Sequence, residues 1–67
     1  MITIKLNGKD ENVKENLSLL GLLEDKKIAP DTVIVALNMN VINQTELDKI
    51  FLSSGNSVEV LRFVAGG

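Results

Sequence analysis

The 67-residue sequence predicts an α+β fold, in which a mixed sheet of four to five strands packs on one main helix plus a short helix. Three observations predict this class. Apolar and polar residues alternate at the start of the chain, leucines recur at helical spacing in its second quarter, and β-branched runs between turn residues fill much of the rest. A chain of this length supports one domain with a thin core.

A hairpin is predicted at the start. Ile2, Ile4 and Leu6 alternate with polar residues, which is the pattern of a strand with one buried face. The segment NGKD supplies turn residues, and a return strand through Val13 completes the hairpin.

The main helix is predicted to begin after Ser18, a favourable N-cap, and to end before Pro30. One apolar stripe at i, i+3 and i+4 marks its buried side: Leu19, Leu22 and Leu23. Gly21 leaves two interpretations open, since it either allows close approach of the sheet or is a tolerated defect costing about 1 kcal/mol.

A central strand is predicted at residues 33–37, which are apolar on both faces, and the turn NMN leads to a short return strand at residues 41–42. Asn38, Asn40 and Asn43 cluster there, and turn formation explains them better than a ligand site does.

A short helix is expected next, with Thr45 as its cap. Its apolar residues are expected to close the open end of the sheet: Leu47, Phe51 and Leu52. Gly55 and Asn56 then turn the chain into the last strand, SVEVLRFV. Central parallel pairing of the first and last strands, with a hairpin on either side, gives the β-grasp arrangement.

Composition excludes most kinds of active site. There is no Cys and no His, and the sequence contains no catalytic triad, zinc spacing, Walker loop or dinucleotide-binding glycine motif. The carboxylate pair Asp10–Glu11 is typical of solvated surface. The net charge of −2, with Phe51 and Phe63 as the only aromatic residues, argues against nucleic-acid binding. With neither a membrane-length apolar run nor a signal peptide, we expect a cytoplasmic protein that binds no membrane and is monomeric when free.

The last strand and tail carry the one remaining candidate for chemistry. Val58 and Val60 are expected to face the core, which sends Glu59, Leu61 and Phe63 to the face without a helix. Isolated exposed apolar residues are normal, but two of them beside a flexible tail favour a surface that docks a partner.

The tail, residues 64–67, ends in two glycines that can pass where side chains would clash. Gly67 carries an unhindered carboxylate that becomes reactive once it is activated. The alternative is a frayed end.

On these residues the chain resembles the ThiS family, the thiamine-pathway sulfur carriers of the ubiquitin-like β-grasp group. The similarity covers essentially residues 1–67 as one domain. It is carried by the segments LLE, VALN and VEVLRFVAGG and by the turn glycine Gly55. Only the last segment is specific.

The resemblance implies a carrier rather than an enzyme. A ubiquitin-activating-type adenylyltransferase adenylates the Gly67 carboxylate with ATP, so that no cofactor is bound by the carrier itself. Sulfur derived from cysteine through a desulfurase then displaces AMP, and the thiocarboxylate supplies sulfur to thiazole synthase. By position, Gly66 and Gly67 thread the partner's active site, while Glu59, Leu61, Phe63 and Val64 dock it.

Two departures and several alternatives accompany the resemblance. The family usually has an acidic residue where this chain has Asn56, and often a proline near Asn43. The alternatives are the small subunit of molybdopterin synthase, a carrier for tRNA thiolation or cysteine synthesis, and a non-catalytic β-grasp interaction module.

Overall fold

Two tight hairpins supply four strands of the sheet in the computed structural model, which describes residues 1–63. The hairpin strands are β1 (Ile2–Leu6), β2 (Lys9–Val13), β3 (Val33–Leu37) and β4 (Asn40–Ile42). Each turn has two central residues with positive φ, Asn7 at 51° and Gly8 at 85° in one, Asn38 at 49° and Met39 at 75° in the other. This backbone matches the right-handed twist of the strands that it joins.

The last strand, β5 (Ser57–Arg62), lies at the centre of the sheet. The strand order is β2-β1-β5-β3-β4, with β5 parallel to β1 and antiparallel to β3. The central parallel pair with a hairpin on either side was predicted, and it is confirmed.

The helix α1 (Leu19–Asp25) crosses one face of the sheet. Its start is as predicted, because the Ser18 hydroxyl oxygen accepts a hydrogen bond of 2.9 Å from the Gly21 backbone N–H. The predicted apolar stripe is buried in the core: Leu19, Leu22 and Leu23. The same core contains residues of β1, β2, β3 and β5 and of the segment that follows residue 46: Ile4, Val13, Val33, Val35, Leu47, Leu52 and Val58.

Gly21 is not approached by the sheet. A Cβ at this position would lie 2.7 Å from Leu17 Cδ1 and 3.3 Å from the Ser18 hydroxyl oxygen. The close neighbour is therefore the end of a flexible side chain that precedes the helix, so the first interpretation of Gly21 is wrong.

The short helix differs from the prediction. It is a 3₁₀ helix over Gln44–Glu46, and Asn43 caps it through a side-chain oxygen that accepts from the Thr45 N–H at 2.9 Å. Thr45 is therefore not the cap. Its hydroxyl donates to the same Asn43 side-chain oxygen. A second 3₁₀ helix, Pro30–Thr32, was not predicted.

The segment after the short helix closes the open end of the sheet with Leu47 and Leu52, as predicted, but not with Phe51. The chain runs extended beside the start of α1, where the Leu19 N–H donates to the Ile50 carbonyl and the Leu52 N–H donates to the Leu17 carbonyl. Alternation along this stretch turns Phe51 outward, and it is 56% exposed. No helix within residues 1–63 is long and apolar enough to cross a bilayer.

The carboxyl end of α1 forms a Schellman motif on a residue other than glycine. The Ile28 N–H donates to the Leu23 carbonyl and the Lys27 N–H donates to the Glu24 carbonyl, while Lys27 itself has a φ of 59°. A left-handed conformation costs a side chain-bearing residue roughly 1–2 kcal/mol, which glycine avoids.

We therefore expect Lys27→Gly to raise the free energy of unfolding by about 0.5–1 kcal/mol, after the greater entropy of unfolded glycine is subtracted. Urea denaturation of the two proteins measures the difference. Lys27→Ala is the matched control, since it removes the charge and keeps the strained φ. Equal gains in both variants would contradict the backbone explanation.

Asn56 closes the turn that leads into β5. Its side-chain oxygen accepts from the Ser53 N–H at 2.7 Å, and its backbone carbonyl accepts from the Lys5 N–H at 2.8 Å. An acidic side chain at this position would accept the same Ser53 bond, so the departure from the family pattern preserves the turn.

Replacing Asn56 tests this role. Asn56→Asp should leave stability within about 0.5 kcal/mol, whereas Asn56→Ala should lower it by about 1 kcal/mol because one turn hydrogen bond is lost. Thermal unfolding of both variants gives the comparison. A larger loss for the aspartate variant than for the alanine variant would overturn the assignment.

Candidate functional site

The last strand presents different residues to its two faces. Val58 is fully buried and Val60 is half-buried beneath α1, whereas Glu59, Leu61 and Phe63 are exposed on the opposite face. Leu61 is 63% exposed and Phe63 44%. The predicted assignment of the two faces is confirmed.

The strands beside β5 extend its apolar surface. Register places Ile34 of β3 directly opposite Leu61, and Val41 of β4 opposite Ala36 on the same face. Ile34 is 43% exposed and Val41 is 72% exposed. We call Ile34, Val41, Leu61 and Phe63 the outer patch.

Sequence reasoning missed the β3 and β4 members of the outer patch. Ile34 belongs to a run that is apolar at every position, which predicted a strand covered on both faces. The only α-helix in the described part of the chain covers one face, so the apolar residues of the other face remain in water. The sequence signal for these two residues was that the predicted strands contain more apolar residues than one helix can cover.

The rest of the outer face is polar. On β1 and β2, the Thr3 hydroxyl donates to the Asn12 side-chain oxygen, and the Lys5 ammonium pairs with Asp10, both at 2.8 Å. Glu59 lies on the central strand between this polar half and the apolar half. The outer face of the sheet is therefore divided into a polar half and an apolar half.

The candidate carboxylate pair is divided between the two faces. Asp10 bonds Lys5 on the outer face, whereas Glu11 bonds Lys26 beside the carboxyl end of α1. The two carboxylates therefore do not converge on one substrate. Within residues 1–63 no group of three or more acidic, Cys or His residues is placed to hold a metal.

The exit from the sheet is well defined. The Phe63 N–H donates to the Thr32 carbonyl at 3.3 Å, so the pairing of β5 with the β3 side continues to the last described residue. The remaining predicted site residues lie outside the described residues: Val64, Gly66 and Gly67.

The family is decided by comparison with known proteins. A model of the ThiS family matches residues 3–67. The chain belongs to the ThiS family. This confirms the predicted family and its ubiquitin-like β-grasp fold.

Solved structures of similar proteins agree. A crystal structure of the thiamine biosynthesis protein ThiS from Geobacter metallireducens matches with a TM-score of 0.86 at 33% identity, over 98% of this chain and 100% of that one. A solution structure of a thiamine biosynthesis protein from the same organism matches with a TM-score of 0.80 at 33% identity, over 98% and 88%.

A longer relative is also similar. The chain is 33% identical over 64 residues to a thiazole synthase of Magnetococcus marinus, which covers 96% of this chain and 20% of that protein. The chain therefore spans about a fifth of the length of this relative.

Shortening a side chain to alanine should affect stability strongly on the buried face of β5 and weakly on its exposed face. Val58→Ala should destabilise the domain by about 2 kcal/mol, because it leaves a cavity in the core. Leu61→Ala, three residues later and exposed, should change stability by no more than about 0.5 kcal/mol. Chemical denaturation of both variants measures this, and a large loss for Leu61→Ala would show that the outer patch is structural.

Proposed function

We propose that this ThiS-family chain delivers sulfur as a thiocarboxylate formed at Gly67, and that the outer patch docks the proteins that load and unload it. The chain is then a protein co-substrate and not an enzyme. ATP and the sulfur donor are bound by its partners, and the carrier itself binds no cofactor.

The proposed loading proceeds in two steps. An oxygen of the Gly67 carboxylate attacks the α-phosphorus of ATP on an adenylyltransferase of the ubiquitin-activating type, and pyrophosphate leaves. Hydrosulfide then attacks the acyl carbon, so that a C–S bond forms, the C–O bond to the phosphate breaks and AMP departs. The hydrosulfide comes from cysteine through a desulfurase, whose persulfide a thiol reductant cleaves. The thiocarboxylate that results carries the sulfur.

The observation that carries the proposal is the position of the outer patch immediately before the tail. Phe63, the last member of the patch along the chain, precedes Gly67 by four residues, which span at most roughly 14 Å when extended. A partner seated on the patch therefore has its active site within reach of the Gly67 carboxylate. Gly66 and Gly67 have no side chain to obstruct a narrow channel.

The longer relative supports thiazole synthase as the acceptor. A segment similar to this chain is part of a protein named thiazole synthase, so the two sequences occur there on one polypeptide. We infer that this chain contacts a thiazole synthase and that Glu59, with Leu61, Phe63 and Val64, lies at that interface.

Loading is tested by mass spectrometry of the intact chain. Incubation with ATP, sulfide and a cognate adenylyltransferase should add the mass difference between sulfur and oxygen, with release of pyrophosphate. A variant that lacks Gly67 should remain unmodified while its circular dichroism is unchanged. Unmodified wild-type protein in the presence of active enzyme would contradict the proposal.

Docking is tested on the two halves of the outer face. Leu61→Ala and Phe63→Ala should each raise the KM of the adenylyltransferase for the carrier at least about fivefold, since truncation of a central apolar contact costs more than 1 kcal/mol. Thr3→Ala, on the polar half of the same face, is the control and should leave KM within about twofold. Equal effects from all three variants would exclude the outer patch as the dock.

The acceptor is tested genetically. Expression of the chain in a bacterial strain that lacks its own carrier should restore growth without thiamine, and the Gly67 deletion should not. Growth restored by the deletion variant would show that the tail is dispensable.

A further inference from the structure

The edge of β5 that faces β1 is paired over a short stretch only. Ser57 lies beside Lys5 and Val58 beside Leu6, and the pairing stops there because the chain turns at residues 7–8 into β2. On its other edge, β5 pairs with β3 over five positions, from Val58 to Arg62.

The backbone groups at this edge follow from two hydrogen bonds of Asn7. Its N–H donates to the Val58 carbonyl, and its side-chain oxygen accepts from the Val60 N–H, both at 2.8 Å. Alternation along the strand directs the Val60 carbonyl and the Arg62 N–H and carbonyl to the same edge, beyond the last residue of β1. We call residues 60–62 the open edge.

An apolar pocket of about 140 Å³ lies beside the open edge, on the face that carries α1. Six aliphatic side chains from the helix, the strands and the segment after α1 line it: Leu6, Leu22, Leu23, Ile28, Val33 and Val60. Lys26 and Arg62 are the charged residues of the lining. We call it the edge pocket.

The volume of the edge pocket indicates what fits. Sites for cofactors and drug-sized ligands usually occupy about 300–1,000 Å³. A cavity of about 150 Å³ accommodates a group the size of benzene. The edge pocket therefore suits one large aliphatic or aromatic side chain and is too small for a nucleotide.

The charge beside the pocket indicates the chemistry of the neighbouring group. Within residues 1–63 the ion pairs are Lys5–Asp10, Lys26–Glu11 and Lys49–Glu46, and Arg62 belongs to none of them. Lys26 is neutralised by Glu11, so Arg62 is the cation of the lining that is left to bind a carboxylate.

We propose that the open edge and the edge pocket bind an extended segment of a partner protein by strand addition. The partner runs antiparallel to β5 and places one large apolar side chain in the edge pocket. The same residue donates its backbone N–H to the Val60 carbonyl. The residue two positions before it accepts from the Arg62 N–H and pairs its carboxylate with the Arg62 guanidinium, since side chains two residues apart lie on one face of a strand. Backbone hydrogen bonds supply affinity in this mode, and the pocket supplies specificity. The site is separate from the outer patch and does not depend on the sulfur-carrier proposal.

The test uses the full chain, labelled with ¹⁵N and with ¹³C methyl groups, and a defined probe. The probe is an acetylated and amidated hexapeptide of threonine and valine residues with a central leucine and an aspartate two residues before it, so that both side chains lie on one face. Titration should shift the Arg62 amide and the Leu6, Val33 and Val60 methyl signals, and should slow hydrogen exchange of the Arg62 amide.

Two altered peptides separate the contribution of the backbone hydrogen bond from that of the ion pair. Methylation of the central leucine nitrogen removes the donor to the Val60 carbonyl and should weaken binding at least about fivefold. Replacement of the aspartate by asparagine should weaken binding about threefold, the size expected for an exposed ion pair. In the protein, Arg62→Gln should weaken binding of the aspartate peptide to the same degree and leave binding of the asparagine peptide unchanged.

Leu61→Ala is the matched control, since it lies one residue away and points to the opposite face. It should leave peptide affinity within about twofold, although it impairs adenylation under the sulfur-carrier proposal. The strand-addition proposal is overturned if no signals shift, if the shifts fall on the outer patch, if the N-methylated peptide binds equally well, or if leucine amide alone binds as tightly as the hexapeptide. The last outcome would identify a small-molecule site. None of these outcomes bears on thiocarboxylate formation, which the mass measurement decides separately.

Discussion

The pairing of β1 with β5 holds the domain together. It pairs Leu6, near the start of the sequence, with Val58, near its end. Val58 is fully buried at the point where the two hairpins and α1 meet. The two hairpins do not pair with each other directly, because β1 and β3 are paired to opposite edges of β5. The fold is therefore complete only when the last strand is in place. Such pairing of distant segments carries a loop-closure cost that local contacts do not.

The sequence predicted this arrangement well because its elements are locally consistent. Alternation in β1, the leucine stripe of α1 and the Ser18 cap each indicated one structure, and all three are confirmed. The errors lie where two local signals compete. Asn43 and Thr45 are both favourable N-cap residues, and only the structure shows that Asn43 caps the short helix.

Other features depend on contacts that no local pattern contains. Phe51 is exposed because its segment is extended and pairs with the residues before α1. This pairing turns Leu52 toward the core and Phe51 toward solvent. The outer patch includes Ile34 and Val41 because register aligns them with β5. The edge pocket exists because β1 ends where β5 continues, and the relative lengths of two distant strands decide that.

Asparagine side chains take the place of missing strand neighbours on both sides of β5. The Asn38 side-chain oxygen accepts from the Ser57 N–H at 2.8 Å, as the Asn7 oxygen does from Val60. From the sequence, these residues were explained as turn formers. The structure shows that each turn residue also satisfies a backbone donor of the central strand, Asn38 at the first residue of β5 and Asn7 at the fourth.

These two bonds fix which residues of β5 face the core and which face outward. Side chains alternate along a strand, so a shift of β5 by one residue would bring Leu61 into the core and expose Val58 and Val60 to water. It would also turn Phe63 from the outer face toward the face that carries α1. Asn7 and Asn38 each accept from a single, defined N–H group, so they hold β5 in one register between its two neighbouring strands. An insertion of one residue between Val60 and Leu61 would therefore turn Leu61 and Phe63 toward α1, whereas an insertion of two residues would keep them on the outer face.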